Sequence, residues 1–146
     1  GLQFIEDGNT DTALDAIRCQ LPAAEFITAS DKTLGLAKAI FNPSESNTPL
    51  PISVVGTNFQ IKVWQALLSI PSGTLMSYGG LAKTIGKPSA ARAVGRAIGA
   101  NPVAYIIPCH RAVRATGLLD TKYRWGPARK LAMIGREVSA QEGAPQ

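Results

Sequence analysis

Between Thr57 and Gly99 the chain alternates residues that start helices with residues that stop them, at intervals too short for long elements. Thr57 caps a predicted helix from Asn58 to Ile70, with Phe59, Val63, Trp64, Leu67 and Leu68 spaced for one buried side. Pro71-Ser72-Gly73 ends it. Ser77 caps Tyr78 to Ile85, Gly86-Lys87-Pro88 breaks the chain, and Ser89 caps Ala90 to Gly99. Two short helices across a tight turn fit a helix-turn-helix or a plain helical hairpin. In the second helix, small residues allow close approach to a backbone, while Arg92 and Arg96 lie four apart on one face.

The first half reads differently. Residues 1–9 are expected to form a short strand closing in a turn. Thr10 to Gln20 is helical, with Asp11 as cap and Ala13, Leu14, Ile17 and Arg18 on one face. Thr33 to Phe41 is a second helix, and residues 42–51, with three prolines, are a linker. Pro51 to Val55 is read as a strand. The expected organisation is a small N-terminal α/β lobe with linker over residues 1–50 and a mostly helical domain over 51–146, an α+β fold.

Charge divides along a similar line. Residues 1–77 carry four basic and seven acidic side chains, a net of −3, whereas residues 78–146 carry eleven basic and three acidic, a net of +8. An excess confined to one half points to a polyanion, with nucleic acid the leading partner. Two cysteines and one histidine are too few for a structural zinc site, which needs about four ligands. No metal site is expected. No apolar run approaches the roughly 20 residues of a membrane span, and cysteines this sparse suit an intracellular, reducing setting. Cys19 is read as structural.

Pro108-Cys109-His110-Arg111, entered from the apolar run Val103 to Ile107, carries the chemistry. That run is read as a buried strand. A thiolate is the nucleophile, and an unperturbed thiol with a pKa of about 8.5 is only a few per cent ionised near neutrality. The histidine beside Cys109 is placed to take the proton, and a carboxylate behind it would orient the imidazole. The alternative for Cys109 is a small buried hydrophobe.

Four motifs in order resemble the O6-alkylguanine-DNA alkyltransferase family, and most closely its Ada-type repair domains. They are Gly56 to Leu67, Ser77-Tyr78 through residues 90–95, Asn101-Pro102, and Ile107 to Arg111, with Tyr123-Arg124-Trp125-Gly126 pointing to the Ada type. The resemblance implies direct DNA repair: an alkyl group on O6 of guanine moves irreversibly to Cys109, without a cofactor. It also implies that His110 takes the thiol proton through a water and that Glu137 holds His110 in its tautomer. Tyr78 would contact the flipped base, and Asn101 would tie the recognition helix to the active-site segment. Tyr123 would wall the base pocket, with the base read by the carbonyls of Cys109 and Ala112 and the amide of Arg124. Ala90, Ala91, Gly95, Arg96 and Ala115 would lie against double-stranded DNA in the minor groove, with Arg92 filling the stack. Lys87, Arg111 and Arg114 join Arg96 as candidates for phosphate contact.

The same resemblance implies a ribonuclease H-like N-terminal lobe, shortened here, and a monomer acting in the cytoplasm or nucleoid. It departs at Ala104, at Ala112 and in Leu118 to Lys122, which bear on packing and pocket size. Two other readings remain open, a non-catalytic lesion-binding relative and the repair half of an Ada-type transcription regulator. Residues 138–146 read as a frayed tail.

Overall fold

The computed structural model describes residues 2, 4–5, 8–41, 50–117 and 123–142. The fold is helix-rich with one small two-stranded sheet, and the chain divides into two compact units, Ile5–Ser53 and Gly1–Phe4 with Val54–Gln146.

The unit Ile5–Ser53 holds α1 (Thr10–Gln20) and α2 (Ser30–Phe41). The cap of α1 is Asn9, not Asp11: its side chain accepts from Asp11 N at 3.1 Å and Thr12 N at 3.2 Å. Asp11 sits one residue too far in and instead places its charge in the first turn, where the helix dipole favours an anion. Helix α2 starts at Ser30, three residues earlier than predicted, with Thr33 Oγ1 donating to Ala29 O and Ser30 O. Among the described residues of this unit none is buried. Cys19 is exposed, so it has no structural role in a core. The linker at 42–49 lies outside the described residues, and Pro51 to Val55 pairs with no strand among the described residues. Proline contributes no N–H to a ladder, and Val55 is 93% exposed.

The second unit begins with a capping box. Thr57 Oγ1 accepts from Gln60 N at 3.2 Å, and Gln60 Oε1 accepts from Thr57 N at 2.8 Å. Helix α3 (Asn58–Leu68) buries Val63, Trp64 and Leu67, but Leu68 is exposed and Phe59 only half-buried. The apolar stripe is centred on Trp64 rather than on the arc reaching Leu68. Trp64 Nε1 donates to Ala97 O at 2.9 Å and ties α3 to α5. A Cβ on Gly56 would meet the Trp64 ring at 2.8 Å, so only glycine fits there.

Strand β1 (Met76–Ser77) leads into α4 (Tyr78–Thr84), capped by Ser77 Oγ as predicted. Helix α5 runs Ala91–Gly99, and Ser89 does not cap it. Ala90 occupies the cap position without a side-chain bond, because the chain enters from a turn in which Ala90 N donates to Lys87 O at 2.9 Å. Gly86, at φ 72°, turns the chain between α4 and α5.

The run Val103 to Ile107 is not a strand. Val103 makes a single parallel bridge with Leu2, the one ladder contact of the predicted N-terminal strand among the described residues. Two positions on, Tyr105 sits at φ 65°, a left-handed conformation that breaks any extended run. Cys109 then opens a 3₁₀ turn, Cys109–Arg111. Strand β2 (Ala112–Val113) follows, parallel to β1 with Met76 opposite Ala112 and Ser77 opposite Val113. Helix α6 (Pro127–Glu142) closes the unit and continues through the predicted frayed segment as far as Glu142. Its Gln141 Nε2 donates to Ser72 O.

Candidate active site

The 3₁₀ turn packs against α6, so the two residues at its start face a helix that carries charge. Cys109 and His110 are both buried, the thiol at 1% exposure and the imidazole at 0%. Cys109 also lines a partly open cleft, with Tyr78, Gly95, Tyr123, Arg124 and Trp125 among its walls. A buried nucleophile facing a cleft suits a small reacting group brought in from outside.

Behind the thiol stands a hydrogen-bonded pair. His110 Nε2 donates to Glu137 Oε1 at 2.7 Å. Burial raises the Glu137 carboxyl, but hydrogen bonds from Arg111, His110 and the Gly73 N–H outweigh it and bring the pKa down to about 2. Glu137 is therefore ionised and can only accept, so the ring hydrogen sits on Nε2. That leaves His110 Nδ1 as the acceptor. Among the described residues it is the buried side-chain polar atom with no hydrogen-bond partner in the protein.

The thiol and the imidazole are both held neutral. Burial raises the Cys109 pKa, opposed by hydrogen bonds from Tyr123 and Asn101 and by the charge of Lys130. Burial lowers the His110 pKa, opposed by Glu137 and reinforced by Arg111 and Lys130. A neutral thiol beside a neutral base is the state from which general-base deprotonation starts. Tyr123 OH lies 3.3 Å from Cys109 Sγ. Burial first, then the thiol, keeps the phenol protonated, so it donates once the sulfur is ionised.

Asn101, fully buried just after α5, braces the approach to Cys109. Its Nδ2 donates to Ile107 O at 3.0 Å, and its Oδ1 accepts from Val103 N at 3.0 Å. These bonds hold the segment that contains the left-handed Tyr105, whose ring lies 6.4 Å from His110 at an interplanar angle of 17°. Tyr78 opens α4 on the cleft wall, and a Cβ on Gly95 would lie 3.9 Å from its ring, so α5 passes close beside it. The Arg124 side chain is exposed, donating to Asn101 O at 3.3 Å and lying 5.5 Å from the Trp125 ring.

Arg92 and Arg96 are exposed on α5, with Ala90, Ala91 and Gly95 half-buried. Ala115 and Arg114 are exposed in the turn after β2, and Lys87 is exposed in the turn before α5. Arg111 departs from its expected place among the phosphate contacts. It turns inward, its Nη1 donating to Ile70 O at 2.5 Å and its Nε and Nη2 to Glu137. The loop 118–122 lies outside the described residues.

Lys130 is assigned no role from the sequence alone. It is 1% exposed, its Nζ donates to Ala112 O at 2.5 Å and lies 5.4 Å from the Tyr123 ring. That bond engages the carbonyl expected to read the base. The available signal was its spacing: Lys130 and Glu137 stand seven apart, two turns of one helix face, and that face meets the thiol turn.

Three comparisons bear on this geometry. The family model described as "6-O-methylguanine DNA methyltransferase, DNA binding domain" matches residues 58–139. The chain is 49% identical over 146 residues to the Escherichia coli bifunctional transcriptional activator/DNA repair enzyme Ada, covering 97% of this chain and 41% of that protein. It is 38% identical over 145 residues to the inducible methylated-DNA–protein-cysteine methyltransferase of Bacillus subtilis, covering 96% of this chain and 80% of that protein. Among solved structures, Mycobacterium tuberculosis OGT in complex with DNA is 45% identical with a TM-score of 0.65, over 73% of this chain and 66% of that one. The chain thus spans about two fifths of the length of the Ada proteins it matches.

Proposed function

The chain belongs to the 6-O-methylguanine DNA methyltransferase family, and we propose that it repairs DNA directly, moving an alkyl group from O6 of guanine onto its own Cys109. One observation carries the reading. A buried neutral thiol in an open-mouthed cleft stands beside a neutral histidine whose far nitrogen is fixed by an ionised carboxylate.

The step balances within the site. The Cys109 proton passes through a water to His110 Nδ1, and the thiolate attacks the alkyl carbon. The S–C bond forms as the C–O6 bond breaks. Guanine departs as an anion stabilised by a hydrogen bond from the Tyr78 hydroxyl, its charge balanced by the proton that His110 returns through water. The thioether is not cleaved again, so each chain acts once. Tyr123 has two tasks, donating to the thiolate and stacking on the base. Because the imidazole must be neutral to accept a proton, transfer slows as pH falls through the lowered pKa of His110.

A base inside a duplex cannot reach a buried thiol, so the nucleotide is extruded. We read α4 and α5 as a helix-turn-helix whose second helix lies in the minor groove. Exposed Arg92 and Arg96 beside the small Ala90, Ala91 and Gly95 support this, and the related OGT solved with DNA supports DNA as the partner. Arg92 is the residue that fills the vacated stack, and Arg96, Lys87 and Arg114 are the phosphate contacts. Helices α1 and α2 are assigned to the helical side of a ribonuclease H-like lobe, on their order and the family membership. One thiol per lesion needs no second copy, and thiolate chemistry suits a reducing compartment, so the acting species is a monomer inside the cell.

The test is stoichiometric. A duplex carrying O6-methylguanine is incubated with increasing protein, and the remaining lesion is counted as the modified nucleoside. Loss that stops at one lesion per protein molecule supports the reading. Tight lesion binding with no loss overturns it in favour of a recognition protein.

A further inference from the structure

We infer that Arg111, the residue after the relay histidine, is the positioning residue that sets the carboxylate plane of Glu137, and through it the tautomer of His110. The inference rests on the proposed role of His110 as a proton acceptor.

A glutamate carboxylate rotates in a broad, weakly preferred well about its last torsion, so its plane must be fixed by partners. Arg111 supplies a planar fork. Its Nε lies 3.0 Å from Oε2 and 3.2 Å from Oε1, and its Nη2 lies 2.9 Å from Oε1. The remaining arm of the guanidinium is anchored on Ile70 O at 2.5 Å, at the end of the α3 segment. Oε2 also accepts from Gly73 N at 2.9 Å. A carboxylate offers about four lone-pair sites; with the single Nε–H counted once, on the nearer Oε2, these bonds leave one on Oε1, which His110 Nε2 occupies at 2.7 Å. A lysine in this place would supply charge but no fork.

Adjacency to Cys109-His110 and a positive charge make Arg111 look like a phosphate contact. Its side chain is only 17% exposed, however, and its bonds to Glu137 and Ile70 O run inward. The two roles predict different things. A phosphate contact sets DNA affinity and the salt slope, and its loss reduces that slope by about one. A positioning residue sets the imidazole instead.

His110 is the only histidine in the chain, so its ring ¹⁵N resonances belong to it without assignment. The experiment records those resonances near neutral pH in the wild type, Arg111→Gln and Arg111→Lys. Duplex affinity is measured at several salt concentrations alongside. The expected wild-type spectrum is one tautomer, with the hydrogen on Nε2. Arg111→Gln should show the two nitrogens drawn toward a common averaged position, with transfer at least about tenfold slower and the salt slope unchanged. Arg111→Lys should fall between, and it serves alone if the glutamine variant does not fold. His110 resonances that stay at their wild-type positions in the folded variants overturn the inference, and a salt slope reduced by about one would then assign Arg111 to phosphate. Because the ring spectrum needs no substrate, failure of the wild type to remove alkyl groups sinks the repair reading separately.

Discussion

Helices α2 and α3 are nearly equal in length, twelve residues against eleven, yet α2 buries nothing while α3 supplies the centre of a core. Spacing makes the difference. In α3, Val63, Trp64 and Leu67 stand at the i, i+1 and i+4 positions that make one stripe, and all three are buried. In α2, Leu34 and Leu36 are two apart and point to different faces; both are more than half exposed. Each helix forms from local signals, but most helical stability comes from burying a face. The two units should therefore differ in how firmly they are held, and the proposed chemistry sits in the firmer one. The cleft can be rigid because α3, α4 and α5 share buried contacts beneath it.

The sharpest contrast uses the two cysteines, one in each unit. Cys109→Ser should abolish alkyl transfer, while Cys19→Ser should leave its rate unchanged in the same single-turnover assay. Next in size is hydrogen exchange. Amides of α1 and α2 should exchange from local openings costing close to nothing, whereas those of α3 and α5 should approach the global unfolding limit. Equal protection in the two units would break the comparison.

Core truncation follows. Leu67→Ala should destabilise the protein by about 2–5 kcal/mol in urea unfolding, against no more than about 0.5 kcal/mol for Leu34→Ala. A large cost at Leu34 would mean that α2 has a buried face after all.

The last effect is confined to acid. The Glu137 pKa is depressed from 4.5 to about 2 in the folded protein. Its contribution to stability is full above the unfolded value and is lost as pH falls toward 2. Glu137→Gln should remove that slope between pH 4.5 and 2, read as the pH dependence of urea midpoints, and a slope identical to wild type would contradict the assigned partners.

What could be read in the sequence was what depends on near neighbours. Thr57 and Ser77 cap their helices through contacts three residues away, and both were legible for that reason. Ser89 was not, because the turn at Lys87 delivers the chain to Ala90 before a side-chain cap is needed. The strands β1 and β2 are two residues each, too short to show alternation, and their pairing joins segments 36 positions apart. The Val103 to Ile107 run failed as a strand because its apolar pattern carries no sign of the left-handed Tyr105.

At the site, Cys109 and His110 were visible as adjacent reactive types, and Glu137 through the family resemblance. The grip of Arg111 on Glu137 spans 26 residues, and the Lys130 bond to Ala112 spans 18. A basic residue gives no indication in sequence of whether it faces solvent or a carboxylate. Arg111 therefore reads as a surface cation, and Lys130 receives no role of its own.

The central claim is that one thiol of two accepts the alkyl group, and the most direct measurement counts it there. The protein is reacted to completion with an O6-methylguanine duplex, digested, and the peptides carrying Cys19 and Cys109 are quantified by mass. The account predicts one added methylene on the Cys109 peptide in every reacted chain and none on Cys19. Methylation shared with the exposed Cys19, or a reacted chain whose Cys109 peptide keeps its original mass, would contradict it.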